Sequence, residues 1–392
     1  MSENGKINYQ QFIVISIIAF VIYLSNQMVS TTISKYAHSM QATSQLIGLI
    51  GGMFGIVALF TRPFSGQVVD KKNNKVLMFI CITLLLLSNI CLVIAKNEVY
   101  LLLSRAINGF GWGFGSTLCM TTACNALTKE KMASGIAIYT LAQTLAQVLG
   151  PYLAVKIIEL QSYKHLYYVT TVLMLISFIL AFIFKTNMKE KKDAKYSLSI
   201  REMFAFDAMI PTLISVSNAM DNAAVTAFIL LYADSLGIKN ISYFFSLQAI
   251  AVLTCRPLIS KLINDRNINY IIVVSEMIII AGLVNLFFAT SLIYFIVSAI
   301  LLGIGRSGAQ PAIVSLCVTL VPSDQRGKAT NTNYAGHDIG QFIGANFAGF
   351  IAGTFGYKYI FLFITLPIIF ALFIFGRAYI TPHSQNLKEN CD

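Results

Sequence analysis

Charged side chains are scarce in this sequence. Asp, Glu, Lys and Arg make up only 11% of its 392 residues, where a soluble domain carries roughly a quarter, and that shortage excludes a soluble enzyme. There is no G-x-x-x-x-G-K-[ST] loop, no G-x-S-x-G elbow and no H-E-x-x-H run, so signatures for nucleotide hydrolysis, acyl transfer and zinc chemistry are missing and no enzyme activity is expected. Seven cysteines form no C-x-x-C pair and six of them fall inside apolar runs. They read as small buried hydrophobes, and neither a metal nor any other cofactor is expected. His38, His165 and His383 are dispersed near the ends of apolar runs, which is a surface pattern. The net charge of +11 does not call for nucleic acid, because most of the 28 Lys and Arg sit in short loops between apolar segments, where membrane topology accounts for them.

What the chain has is apolar length. Hydrophobic residues make up 56% of it, and twelve membrane spans of about 21 residues would use about 250 residues, leaving no room for a large soluble domain. The sequence predicts an all-α membrane protein with twelve transmembrane helices, at 12–34, 45–69, 76–95, 99–126, 132–158, 164–184, 206–232, 241–263, 270–289, 292–320, 328–353 and 358–380. The first apolar stretch is longer than a signal-peptide core and lacks a clear small-residue cleavage site, so it reads as a retained span. Eighteen of the 28 Lys and Arg lie in the tails and even-numbered loops and six on the opposite side, with Arg62, Arg105, Arg256 and Arg306 inside spans. Both termini are therefore expected in the cytoplasm of a multi-pass cell-membrane protein.

A shift of 194 residues superposes the two halves: Arg62-Pro63 falls on Arg256-Pro257, Lys72-Asn73 on Arg266-Asn267, and Gly109, Gly111 and Gly150 on Gly303, Gly305 and Gly344. Five coincidences at one offset, each at the same place in its span, mark a duplicated six-helix unit. The expected organisation is an N-terminal bundle over 1–184, a basic cytoplasmic linker over 185–204 and a C-terminal bundle over 205–392. Two parallel repeats about an axis normal to the membrane are one way to build an alternating-access carrier, with its substrate site between halves near the midplane.

Three motifs carry a family resemblance. Gly66-Gln67-Val68-Val69-Asp70-Lys71-Lys72-Asn73-Asn74-Lys75 resembles the G-x-x-x-D-R/K-x-G-R/K-R/K loop of the major facilitator superfamily, with Asn73, a residue that tolerates a left-handed turn, in place of Gly. Arg105 followed by Asn108, Gly109, Gly111, Gly113 and Gly115 resembles the R-x-x-x-G pattern of the fourth span, and Gly150-Pro151 the G-P end of the signature of drug:proton antiporters. The resemblance implies the two-bundle fold, and for Gly66, Asp70, Lys71 and Lys75 a cytoplasmic gate whose charge-assisted contacts form in one state and break in the other. The lysines alone could equally supply cytoplasmic positive charge. Gly109, Gly111 and Gly113 would serve close helix packing, and Pro151 a hinge or plain packing.

Charged groups inside a membrane cost several kcal/mol and are functional candidates by default. Counting along the helices puts Asp221, Arg306, His337 and Asp338 near the midplane, Glu276 and Arg256 nearer the cytoplasmic end and Arg105 nearer the outer end. Asp221, Asp338, His337, Arg105 and Arg306 are the proton-coupling candidates. For Asp221 the alternative is a structural ion pair, with Arg306 as a partner; for Asp338, helix–helix pairing; for His337, a satisfied interfacial histidine; for Arg105, a side chain reaching for the outer surface. Burial favours a neutral carboxyl group and a nearby guanidinium its charged form, which is how a proton site couples to a ligand. Tyr23, Asn26, Gln27, Gln143, Gln147, Asn222, Asn333 and Gln341 are the candidates for lining a substrate cavity.

The reading this supports is a proton-coupled secondary transporter, monomeric in the bilayer, that takes a small molecule and protons as partners and exports drug-like compounds or metabolites. The alternative is a proton symporter importing an organic anion or peptide-like nutrient, since Arg306 beside His337 suits a carboxylate. A membrane-embedded enzyme or receptor on the same scaffold is disfavoured by the missing catalytic motifs.

Overall fold

A computed structural model describes residues 9–71, 73–128, 132–183, 204–263, 266–322 and 325–379. Residues 185–203 of the expected linker and both chain ends lie outside this set. Among the described residues there is no strand. The helices are α1 (Tyr9–Ser39), α2 (Ser44–Lys71), α3 (Asn74–Val93), α4 (Glu98–Asn125), α5 (Met132–Leu160) and α6 (Tyr163–Ile183). After a 3-10 turn at Phe206–Ala208 come α7 (Met209–Ser235), α8 (Ser242–Leu262), α9 (Ile268–Phe287), α10 (Leu292–Thr319), α11 (Arg326–Thr354), α12 (Tyr357–Phe363) and α13 (Thr365–Tyr379). Among the described residues, ten stretches are long and apolar enough to cross a membrane. The two helices that fall short, α4 and α11, are rich in glycine and polar residues, and each is held inside its bundle by small-residue packing.

The expected twelfth span, 358–380, is one run in the sequence but two helices in space. Pro367 explains the break: it has no N–H for the Phe363 carbonyl four residues back, and its ring crowds that carbonyl, so α12 stops at Phe363 and α13 starts at Thr365. Pro151 in α5, Pro257 in α8 and Pro311 in α10 sit inside helices that run on through them. Asn73 does not make the left-handed turn that a Gly-like residue suggested. At φ −65° and ψ 110° it is extended and caps α3, its Oδ1 accepting from the Lys75 backbone N–H at 2.9 Å, which satisfies one of the orphan donors of a helix start. Gly356, between α11 and α12, has φ +98°, a conformation open to glycine alone among ordinary residues.

The chain divides into two compact units, one comprising Met1–Ala42 and Met53–Ser197, the other Thr43–Gly52 and Leu198–Asp392. In the first, α1 packs on α5 and α3 on α4; in the second, α7 packs on α11 and α9 on α10. The 194-residue offset reappears as equivalent contacts within each unit. A Cβ on Gly109 would stand 2.6 Å from the Phe54 carbonyl oxygen, and one on Gly303 2.7 Å from that of Gln248; Phe54 and Gln248 are themselves 194 apart. Gly111 lies against Leu85 and Gly305 against Ile279, again one offset apart, while Gly150 seats α5 on Leu24 and Gln27 of α1 and Gly344 seats α11 on Met220 of α7. Ser104 Oγ donates to the Ser88 carbonyl at 3.0 Å, and Ser298 Oγ to that of Gly282 at 2.9 Å. Apolar association gains little in lipid, where the tails are as apolar as leucine, so such close small-residue contacts and inter-helix hydrogen bonds hold these bundles. Large apolar side chains such as Leu87, Leu103, Phe182 and Phe373 point outward, as suits a lipid solvent.

Candidate functional site

The densest set of buried charges lies within the second unit, on α7, α9 and α10. Asp221 and Asn218 stand three residues apart on α7 and share a face. Asp221 Oδ1 accepts from Arg306 Nη2 on α10, and Asn218 Nδ2 donates to Oε1 of Glu276 on α9 at 2.8 Å. Both carboxylates are fully buried, while one fifth of the Arg306 side chain is exposed. Oδ2 of Asp221, Oε2 of Glu276 and Nε of Arg306 are buried and make no hydrogen bond to another described residue. One buried carboxyl group is thus paired with the guanidinium and the other with a neutral amide, an arrangement in which a proton can be taken up or released.

Glu276 is the residue that sequence reasoning set aside. Counting along its span puts it nearer the cytoplasmic end; it is the ninth of the twenty residues of α9 and joins the polar group of Asp221. The signal was there: it is the one charged residue in the run from Ile268 to Phe287. Nothing in the sequence says that Asn218 faces an acid. Asn222, next to Asp221, is half-buried.

On α11 stands Asn333, a candidate for the cavity wall. It is buried, donates to Ser215 Oγ at 2.6 Å and lies 3.5 Å from Cys317 Sγ. Asp338 is buried, and His337 and Gln341 are half-buried.

The first unit holds a different constellation. Arg105 on α4 is buried rather than turned out toward an aqueous surface; its Nη1 donates to Ser30 Oγ at 3.2 Å and its guanidinium lies 4.7 Å from the centre of the Phe54 ring. Tyr23 meets Trp112 edge-on at 4.5 Å, and Phe54 meets the same indole at 5.8 Å. Asn26 is buried with an Oδ1 that accepts no hydrogen bond from a described residue, Gln27 and Gln143 are half-buried, and Gln147 is exposed. Of the gate motif, Gly66, Asp70 and Lys71 lie in the last turns of α2 with side chains outside the described set. Lys75 is described: its Nζ donates to the Phe182 carbonyl at 3.2 Å, a cation at the C-terminal, negative end of α6.

The repeat makes the asymmetry explicit. Shifting Asn218, Asp221, Glu276 and Arg306 back by 194 gives Leu24, Gln27, Ile82 and Trp112, while shifting Ser30 and Arg105 forward gives Ala224 and Ala299. Each unit keeps the shared packing and carries its own polar group where the other is apolar or neutral. No group of three or more His, Cys, Asp or Glu that could hold a metal occurs among the described residues.

The sequence model of the Major Facilitator Superfamily matches residues 15–290 and again 212–390. The chain is 24% identical to the staphylopine export protein of Staphylococcus aureus, over 91% of this chain and 93% of that one. It is 23% identical to the multidrug resistance protein MdtG of Proteus mirabilis, over 86% and 87%. In fold it is similar to the crystal structure of the nucleoside transporter NupG, with a TM-score of 0.79 at 15% identity, covering 94% of this chain and all of that one, 100%.

Proposed function

Because the chain belongs to the Major Facilitator Superfamily, a family of membrane transporters rather than enzymes, we propose that it exports drug-like compounds or small metabolites in exchange for protons. The observation that carries the proton coupling is the buried group of Asp221, Arg306 and Glu276, which holds more acids than bases where isolated charge is costly. Export is supported by the names of the staphylopine and multidrug relatives. Transport would proceed by alternating access, the two six-helix repeats exposing a shared cavity first to one side and then to the other. Protonation drives such a cycle only when proton affinity differs between the two states.

In this reading Asp221 and Asp338 are candidate proton carriers, Arg105 and Arg306 bias the charge balance, and Asn26, Gln27, Gln143 and Gln147 contact cargo. The transporter works as a monomer with both termini in the cytoplasm, and its partners are the cargo, protons and lipid, with no nucleic acid. The test is ethidium accumulation in a bacterial host stripped of its own efflux pumps. Cells making this protein should hold less dye than control cells, and a protonophore should erase the difference. Export that persists after the proton gradient collapses would reject proton coupling, and higher accumulation than in control cells would favour the importer.

A further inference from the structure

Glu276 is buried with no exposed surface, and among the described residues the side chain that hydrogen-bonds it is the neutral amide of Asn218. The charged groups acting on it are Asp221 from α7 and Arg306 from α10; no charged side chain of α12 or α13, which also pack on α9, is among them. Arg306 is bound to Asp221 and remains a cation under all ordinary conditions. With Asp221 and Arg306 neutralising each other, an ionised Glu276 would add one uncompensated negative charge to the interior of a membrane bundle, the arrangement that bilayer energetics disfavours most. A neutral carboxyl group removes that charge, and Oε2, which accepts nothing from another described residue, is the atom free to carry the hydrogen.

We infer that Glu276 is the group that binds and releases the exchanged proton, while Asp221 keeps Arg306 in place. This rests on the proton-coupled reading above but differs from it in naming a residue outside Asp221, Asp338 and His337. The step is simple in its balance. The O–H bond of the Glu276 carboxyl group breaks, the electron pair stays on Oε2, and the proton passes to water on whichever side the cavity is open; uptake is the reverse. Release becomes favourable when opening of the cavity brings water to the carboxyl group, because hydration removes the penalty on its charged form, while Arg306 stays on Asp221.

Infrared spectroscopy of the purified full-length protein at neutral pH tests this without any knowledge of the cargo. The wild-type minus Glu276→Gln difference spectrum should contain the C=O stretch of a protonated carboxyl group, with the small downshift in heavy water that marks an exchangeable hydrogen. Asp221→Asn should abolish that band, because a single acid then faces a single guanidinium. If the difference spectrum contains the paired stretches of a carboxylate instead, the inference is overturned. Should Glu276→Gln not yield a monodisperse protein, Asn218→Ala provides the reading: loss of its hydrogen bond should shift the same band to higher frequency, and an unmoved band overturns the inference. A second arm separates this inference from the reading beneath it, using proteoliposomes and ethidium. Wild-type transport that ignores an imposed pH gradient defeats the proton-coupled function, whereas wild-type transport that follows the gradient, with Glu276→Gln following it equally well, defeats the role of Glu276 alone. The expected result is that Glu276→Gln loses its gradient response and keeps downhill exchange.

Discussion

Removing Arg306 would leave Asp221 as a carboxylate with neither water nor a counter-ion, because that side chain has no exposed surface and its bond runs to the guanidinium. Breaking a buried pair by deleting one partner costs about 3–5 kcal/mol, whereas replacing both with apolar or neutral groups of similar size is often close to neutral. Arg306→Met is therefore expected to lower the melting temperature of the purified protein steeply, and adding Asp221→Asn to it should recover most of the loss. The double-mutant cycle reads the coupling directly. Equal melting temperatures for wild type and Arg306→Met would mean that the pair contributes nothing to the fold. At this scale the sequence was legible in depth but not in direction. Asp221 and Arg306 stood out because charges are rare in apolar runs, and an ion pair between them was one of the two readings for Asp221. Which way Glu276 faces was hidden, because α9 is apolar on every side and its pattern does not mark an inner stripe, and on α11 polar residues on several faces hid the direction of Asn333. The first acid turned into the charge cluster, and the amide turned into the packing between α7, α10 and α11.

The elements are positioned by glycines whose spacing could be read before any contact was known. A methyl group on Gly150 would stand 2.7 Å from Gln27 Cβ, and one on Gly303 2.6 Å from Ala251 Cβ, whereas nothing lies within 4 Å of the same point on Gly376. Overpacking of this kind costs about 1–3 kcal/mol, while an alanine at an open helical site gains up to about 1 kcal/mol over glycine. Gly150→Ala and Gly303→Ala should thus lower thermal stability and Gly376→Ala should leave it unchanged or raise it. If all three behave alike, close approach of α5 to α1 and of α10 to α8 is not what these glycines provide. Helix positions were legible to within a few residues because loops here are marked by charge and polar residues, and the repeat fixed which spans correspond. The division of the last span was missed because Pro367 lies in an otherwise continuous apolar run, Tyr357 to Tyr379, and hydropathy does not register a lost backbone donor.

Seen whole, the chain uses one scaffold twice and distributes its chemistry unequally, with an arginine among aromatic rings in the first unit and acids around an arginine in the second. In the proton-coupled reading proposed above, the direction of work depends on which side of the membrane each end faces. The cation count, eighteen in the tails and even-numbered loops against six on the other side, predicts that side, since short loops rich in Lys and Arg stay in the cytoplasm. A green fluorescent protein joined after Asp392 should therefore fluoresce, and alkaline phosphatase joined there should be inactive. The same two reporters inserted at Asn97, between α3 and α4, where Lys96 is the sole neighbouring cation, should give the opposite pair of results. Were phosphatase active at the C-terminus and silent at Asn97, the whole body would be inverted. The sidedness assigned from the cation count would then be reversed.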